Sequence, residues 1–195
     1  MNILLIRLRL IGDVVFTTPA VRALRRHFPD ARISYVVEPG SWAVVLGNPH
    51  LNDVIVAPLG RGLERFRWDI ATAWKLRQRR FDLVIDFHGG PRASWFTWAS
   101  GARRRIGYRI TARSWMYTTV VDRPRELRRR HSVENQWDLL TPLGIAPPDP
   151  GRDPTEMPID DTAAAKAVER LTAAGWRDGD RLIVVHVSAG NPFRR

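Results

Sequence analysis

Short apolar runs alternate with stretches of helical periodicity along most of this chain. Asn2 to Leu8 is rich in Ile and Leu, too short for a helix, and reads as a buried strand. After a turn at Gly12-Asp13, Val14, Thr17, Thr18, Val21, Leu24 and Phe28 place apolar or small groups along one helix face. Arg25, Arg26 and His27 suit the negative end of that helix, and Pro29 stops it. Pro19 leaves the start open. It costs a hydrogen bond in a helix that begins at Val14, or it opens one capped by Thr18.

The alternation continues. Arg32 to Val37 and Asp53 to Ala57 read as strands, with a short helix over Ser41 to Gly47 between them. Pro58 to Arg67 reads as a loop, Trp68 to Arg80 as a helix, and Phe81 to Phe87 as a strand ending on His88-Gly89-Gly90-Pro91-Arg92. Ala93 to Ser100 predicts a helix that buries Trp95, Phe96 and Trp98 against the sheet, followed by a short edge strand over Ile106 to Tyr108. His131 to Leu143 is an amphipathic helix closed by Gly144. Strands alternating with helices predict an α/β fold, a Rossmann-like parallel sheet flanked by helices.

Domain organisation follows from composition. Residues 1–144 form the first domain, and Ile145 to Pro158 holds five prolines and a glycine, which predicts an extended linker. Residues 159–195 open a second domain, with a helix over Ile159 to Ala174 capped by Asp160 or Asp161. A buried strand over Arg181 to Val187 then feeds Ser188-Ala189-Gly190-Asn191. A strand running into a small-residue turn announces another strand-loop-helix unit, so the chain is expected to be an N-terminal fragment.

Charge and cysteine content narrow the chemistry. The formal net charge is +11 and is carried almost wholly by arginine, since Lys75 and Lys166 are the only lysines. Guanidinium forks match phosphate and carboxylate oxygens in pairs, which predicts anionic partners. There is no cysteine, which excludes disulfides, thiolate catalysis and Cys-based zinc sites. No apolar run is long enough to span a bilayer, and Met1 leads into a core strand without a secretory signal pattern, so a cytoplasmic protein is expected.

The loop Arg7 to Asp13 (RLRLIGD) has the glycines of neither G-x-G-x-x-G nor a Walker loop. It offers one carboxylate, Asp13, beside Arg7 or Arg9, at the mouth of the first strand-loop-helix, where open α/β sheets bind ligands. Asp is also among the best helix caps, so on residue type alone Asp13 is a cap or a catalyst. His88 lies at the carboxyl end of another parallel strand, with Gly89 and Gly90 allowing close backbone approach, although a lone loop histidine is often merely solvated. Three arginine clusters fall in or beside loops: Arg61/Arg65/Arg67, Arg103/Arg104/Arg105 and Arg128/Arg129/Arg130. Pooled at one rim, they make an anion-binding wall. Asp82 and Asp86 share one strand face with no third ligand nearby, so no metal is expected.

The opening L-x-x-I-G-D-V-V-F-T-T-P-A-V-R-A-L-R-x-x-F-P-x-A resembles that of the bacterial ADP-heptose:lipopolysaccharide heptosyltransferases, glycosyltransferase family nine. The likeness continues at Tyr35-Val36-Val37-Glu38, at Asn48 to Ile55, at Asp82 to Asp86 and at Arg105-Ile106-Gly107. It implies the N-terminal half of a two-domain GT-B glycosyltransferase, whose first domain binds the acceptor and whose second binds the nucleotide sugar. Asp13 matches the family's general base, and the His88 turn matches one that lines the acceptor cleft. Ser188 and Arg194 match, the latter approximately, a hydroxyl and a basic residue of the donor side, though the Trp-Pro pair that follows there is absent.

The expected function is therefore inverting transfer of a heptose or related sugar, with Asp13 catalytic and Arg9, Arg61, His88, Arg92, Arg104 and Arg105 binding the acceptor. Ser188 and Arg194 would bind the donor. The donor implied is ADP-heptose, with no other cofactor. The acceptor implied is the anionic inner core of lipopolysaccharide, met peripherally at the cytosolic face of the inner membrane by a protein that is monomeric when complete. Two other classes fit parts of the chain. The +11 charge suits a nucleic-acid-binding module, but no nucleic-acid motif accompanies it. The first strand-loop-helix suits a dinucleotide-dependent oxidoreductase, but the loop lacks that fingerprint.

Overall fold

The computed structural model describes residues 1–123 and 130–185, and the chain divides into two compact units, Met1–Pro158 and Ile159–Arg195. Six strands build the first unit: β1 (Asn2–Ile6), β2 (Arg32–Val37), β3 (Asp53–Val56), β4 (Leu83–Asp86), β5 (Arg104–Tyr108) and β6 (Thr119–Val121). They lie in the order β3-β2-β1-β4-β5-β6, and every pairing is parallel. The sheet is Rossmann-like. Its order reverses between β1 and β4, so connections leave the two strands in opposite directions and a crevice opens beyond their carboxyl ends.

Side chains alternate across this sheet with period two, and each face has its own core. Ile3, Leu5, Tyr35, Ile85, Phe87 and Ile106 pack on one side with α1 (Ile11–Val15), α2 (Thr18–His27) and α5 (Ser132–Trp137). Leu4, Ile6, Val36 and Val84 pack on the other with α3 (Gly62–Gln78) and α4 (Pro91–Ala99). β1 and β4 are buried on both faces, which is why they read as continuous apolar runs.

Several elements differ from the sequence reading. The helix expected over 14–28 is two helices, broken between Val15 and Thr18, with Pro19 in the first turn of the second and Thr17 in place of Thr18 as the flanking residue. The Thr17 and Thr18 hydroxyls turn back to the carbonyls of Val14 and Val15. Residues 62–67, read as loop, are the first turns of α3. β5 is not an edge strand: β6 pairs outside it, from Ile106↔Thr119 to Tyr108↔Val121. Ser41 to Gly47 gives way to a 3₁₀ turn over Pro39–Val44. The helix after His131 tightens to 3₁₀ over Asp138–Leu143, where Pro142 removes a donor, before Gly144 ends it at φ 76°.

Residues 145–158 carry neither helix nor strand, yet they are tied to the first unit. Arg22 pairs with Glu156, Arg26 with Asp153 at 2.9 Å, and the Trp137 indole donates to Ala146 O at 2.8 Å. In the second unit, α6 (Asp161–Ala173) is capped by Asp160, whose carboxylate accepts from the amides of Thr162 and Ala163. The buried strand expected from 181 is not present in its described part. Leu182, Ile183, Val184 and Val185 are exposed and unpaired among the described residues, because a parallel strand exists only through its neighbours.

Candidate active site

Asp13 and His88 stand at the switch-point crevice, in the segments that follow β1 and β4. What joins these segments is Arg7, the residue immediately after β1 and the only buried Arg or Lys among the described residues. One guanidinium nitrogen donates to Phe87 O at 2.7 Å, and another pairs with the Asp13 carboxylate. Charged groups are rarely buried unless paired, and here both partners are supplied by neighbouring loops.

The Asp13 carboxylate therefore does not cap a helix. It sits in the first turn of α1, whose flanking residue, Leu10, makes no side-chain cap. Leu10 has φ 70°, a backbone region that L-residues with a side chain occupy at a cost, and its side chain is exposed. A methyl built on Gly12 meets nothing within 4 Å, so the space above the loop is open. Of the two arginines that sequence left as possible neighbours of Asp13, Arg7 makes the contact and Arg9 is exposed at the rim.

The turn after β4 is held from below. Asp86, fully buried, accepts from the amides of His88 at 2.9 Å and Gly89 at 2.8 Å, and from the Tyr117 hydroxyl at 2.6 Å. Tyr117 in turn meets Ser94 Oγ at 2.7 Å. Burial raises the Asp86 carboxyl above its ordinary range, while the three donors oppose that shift. Gly89 takes φ 67°, and Gly90 lies so close under the His88 ring that a Cβ there would come within 2.7 Å of it. Burial, with Arg7 and Arg9 adding to it and Asp13 opposing, pushes the His88 imidazole down to about 4. It is therefore neutral at pH 7 and able to donate or accept one hydrogen bond from each nitrogen. Its Nδ1 is buried without a partner.

The remaining candidates separate. Arg61 flanks the start of α3, on the carboxyl side of β3, and is exposed. Arg92 is near the same rim but is occupied: it bonds Glu38 at 2.7 Å, Asp69 at 2.8 Å and Pro58 O at 2.6 Å, over the Phe96 ring. Arg104 and Arg105 open β5, opposite Leu83 and Val84, so they lie at the amino ends of the strands, away from Asp13. Their guanidiniums bond Pro142 O, and Met116 O with Ala102 O, respectively. The three arginine clusters are thus not pooled at one rim. Arg128 and Arg129, like the donor candidates Ser188 and Arg194, lie outside the described residues. Among the described residues, no group of three His, Cys, Asp or Glu could hold a metal ion.

Sequence reasoning missed Asp86 and Tyr117 as a supporting pair and undervalued Arg7. The signal for Arg7 was present, because a charge inside an apolar run, between Ile6 and Leu8, must find a partner or distort the strand. The arrangement supplies a partly exposed carboxylate held in place, a neutral imidazole beside it and exposed cations at the rim. These are the parts for taking a proton from a hydroxyl of an anionic substrate.

Residues 70–190 match the model of glycosyltransferase family 9 (heptosyltransferase). The chain is 25% identical over 188 residues to lipopolysaccharide heptosyltransferase 3 of Escherichia coli K12, covering 94% of this chain and 53% of that protein. It is 28% identical over 103 residues to lipopolysaccharide heptosyltransferase 1 of Pseudomonas aeruginosa, covering 50% of this chain and 29% of that one. A glycosyl transferase family 9 structure from Veillonella parvula superposes with TM-score 0.87 at 24% identity, over 98% of this chain and 54% of that chain. E. coli heptosyltransferase WaaC with ADP superposes with TM-score 0.61 at 22% identity, over 76% and 49%. The chain thus spans about half the length of the first proteins it matches.

Proposed function

We propose, from the premise that this chain belongs to glycosyltransferase family 9, that it is the acceptor-side part of an inverting sugar transferase. The observation that carries the reading is the Arg7–Asp13 pair at the switch-point crevice, with His88 beside it. Asp13 takes the proton of an acceptor hydroxyl as that oxygen attacks the anomeric carbon of a nucleotide sugar. The carbon–oxygen bond to the diphosphate breaks, and the nucleoside diphosphate leaves with the bonding electrons. General-base help of this kind is worth about 10²–10⁴ in rate, and alignment in the crevice supplies much of the rest.

The donor is ADP-heptose, with no further cofactor, and the acceptor is the anionic inner core of lipopolysaccharide. Arg9 and Arg61, exposed at the rim, meet its phosphates or carboxylates, and His88 hydrogen-bonds a hydroxyl. Ser188 and Arg194 serve the donor. The protein works from the cytoplasm as a monomer, peripherally at the inner membrane, and the 195 residues alone transfer no sugar because donor binding needs more of a second α/β domain. Among the described residues no helix is long and apolar enough to cross a membrane.

The test is Asp13→Asn in the complete protein, with transfer from ADP-heptose and thermal stability measured together. The amide keeps the shape of the carboxylate but accepts no proton. Loss of most turnover with an unchanged melting temperature is the expected result. Near-normal transfer by this variant would end the general-base assignment.

A further inference from the structure

One flank of the first unit leaves large apolar side chains in water. On α3, Leu63, Phe66, Ile70 and Trp74 recur at a spacing that aligns them in one stripe, and all four are exposed, Leu63 by 83% and Trp74 by 63%. This stripe is separate from the face that α3 buries, formed by Thr72, Ala73 and Leu76. Between α3 and α4 it joins an open groove of about 550 Å³, to which Trp95 and Trp98 also contribute. Trp115, 62% exposed, extends the band by packing edge-on against Trp98, ring centroids 5.8 Å apart. A single exposed aromatic needs no explanation; a contiguous band of them marks a surface that something covers.

The charge of this flank indicates what covers it. Arg77 and Arg105 line the groove itself, and Arg67 and Lys75, each next in the chain to a residue of the stripe, are exposed. The acids of α3 are Glu64 and Asp69, and Asp69 is taken by Arg92 and Arg65. The surface is therefore apolar at its centre and cationic at its margin. A second copy of the same face would set like charges against each other, which weighs against self-association. Trp rings inserted at headgroup level, ringed by arginine and lysine, match an anionic bilayer instead.

We propose that the α3–α4 flank is the docking surface of this protein for an anionic phospholipid bilayer. The inference rests on the peripheral placement proposed above and names the face that makes the contact. Leu63 and Phe66 stand in the first turns of α3, just after Arg61, so one end of the band adjoins the rim that carries the crevice. A glycolipid held in the bilayer then presents its sugars beside that rim rather than beneath the protein.

Co-sedimentation of the 195-residue chain with vesicles tests it, comparing phosphatidylcholine alone with an equal mixture of phosphatidylcholine and phosphatidylglycerol. The chain is expected to bind the mixed vesicles, weakly bind the neutral ones, and release as salt rises. Changing Trp74, Trp98 and Trp115 together to Ser is expected to lower binding about tenfold or more, with the circular dichroism spectrum unchanged. Arg170→Gln with Arg177→Gln, which removes two charges from the second unit, is expected to leave binding as it was. Should the triple variant fold poorly, single Trp74→Phe, Trp98→Phe and Trp115→Phe changes are each expected to reduce fluorescence quenching by brominated lipid. The proposal is overturned if wild type ignores mixed vesicles, if the tryptophan variants bind like wild type, or if the flank instead holds two copies together in solution. None of these outcomes depends on sugar transfer, so the transferase reading stands or falls separately.

Discussion

The Tyr117 hydroxyl reaches the Asp86 carboxylate at 2.6 Å across 31 residues of chain, and the ring behind it fills the space left by Gly107. Tyr117 follows a 3₁₀ turn at Ser114–Met116, whereas Asp86 ends β4. Their bond ties the outer part of the sheet to the loop that carries His88. Because Asp86 is buried, its Oδ2 has no solvent to replace a missing donor.

Tyr117→Phe is therefore expected to destabilise the chain by about 1–3 kcal/mol, the cost of leaving a buried acceptor unpaired. Urea unfolding measures it. A change within experimental error would show that the Gly89 and His88 amides hold Asp86 without help.

Gly107→Ala is expected to cost about 1–3 kcal/mol by overpacking. A Cβ at this position would lie 2.3 Å from Tyr117 Cε1, and that ring is anchored by its hydroxyl to Asp86 and Ser94. Combining the variant with Tyr117→Phe should cost less than the two changes summed, since the freed ring can move. Strict additivity in a double-mutant cycle would argue against this coupling.

Arg7→Met removes the donor of Phe87 O and the partner of Asp13 at once. The expected loss is about 1–3 kcal/mol. Arg7→Lys, a point charge that cannot span both acceptors, is expected to recover only part of it. Equal stability of the lysine variant and wild type would reduce Arg7 to a counter-charge.

His88 gives the pH dependence. Its ordinary value of 6.5 falls to about 4 in the fold, so between these two values the unfolded chain binds a proton that the native state refuses. Stability contributed by His88 is complete above about pH 6.5, falls as pH drops through the window and levels below about 4. Asp86, shifted upward, acts in the opposite direction, so the comparison is wild type against His88→Asn across that range. Proton NMR of His88 should show a midpoint near 4, and Arg9→Gln should move it upward. A midpoint near 6.5 in wild type would place His88 in open solvent.

The sheet was legible because burial on both faces writes a strand as an unbroken apolar run, as in Ile3 to Ile6 and Leu83 to Ile85. β6 was not legible: Thr119–Val121 is three residues, shorter than any periodicity, and is fixed by β5 beside it. The start of α3 was obscured because Gly60 and Gly62 look like loop, and because the apolar stripe that begins at Leu63 faces outward instead of marking a core. Asp13 was singled out by the loop's position and the resemblance; its contact with Arg7 instead of Arg9 needed coordinates. The location of Arg104 and Arg105 was readable and was missed. Whatever opens a parallel strand lies at the end of the sheet opposite its ligands, and these two open the strand that holds Ile106.

The place of β1 at the centre of the sheet has a consequence for how the chain is made. β1 leaves the ribosome well before β4, its partner on one side, and Asn2 bonds Asp82, 80 residues further on. Until that segment has been synthesised, Ile3 to Ile6 is an apolar strand with an open edge. Closing so long a loop is slow compared with forming a helix. At about 5–20 residues added per second, the exposed interval lasts seconds, long enough for aggregation or chaperone capture to compete with folding. Of the paired strands, the one that positions Arg7 is thus also the one that waits longest for its neighbour in the sheet.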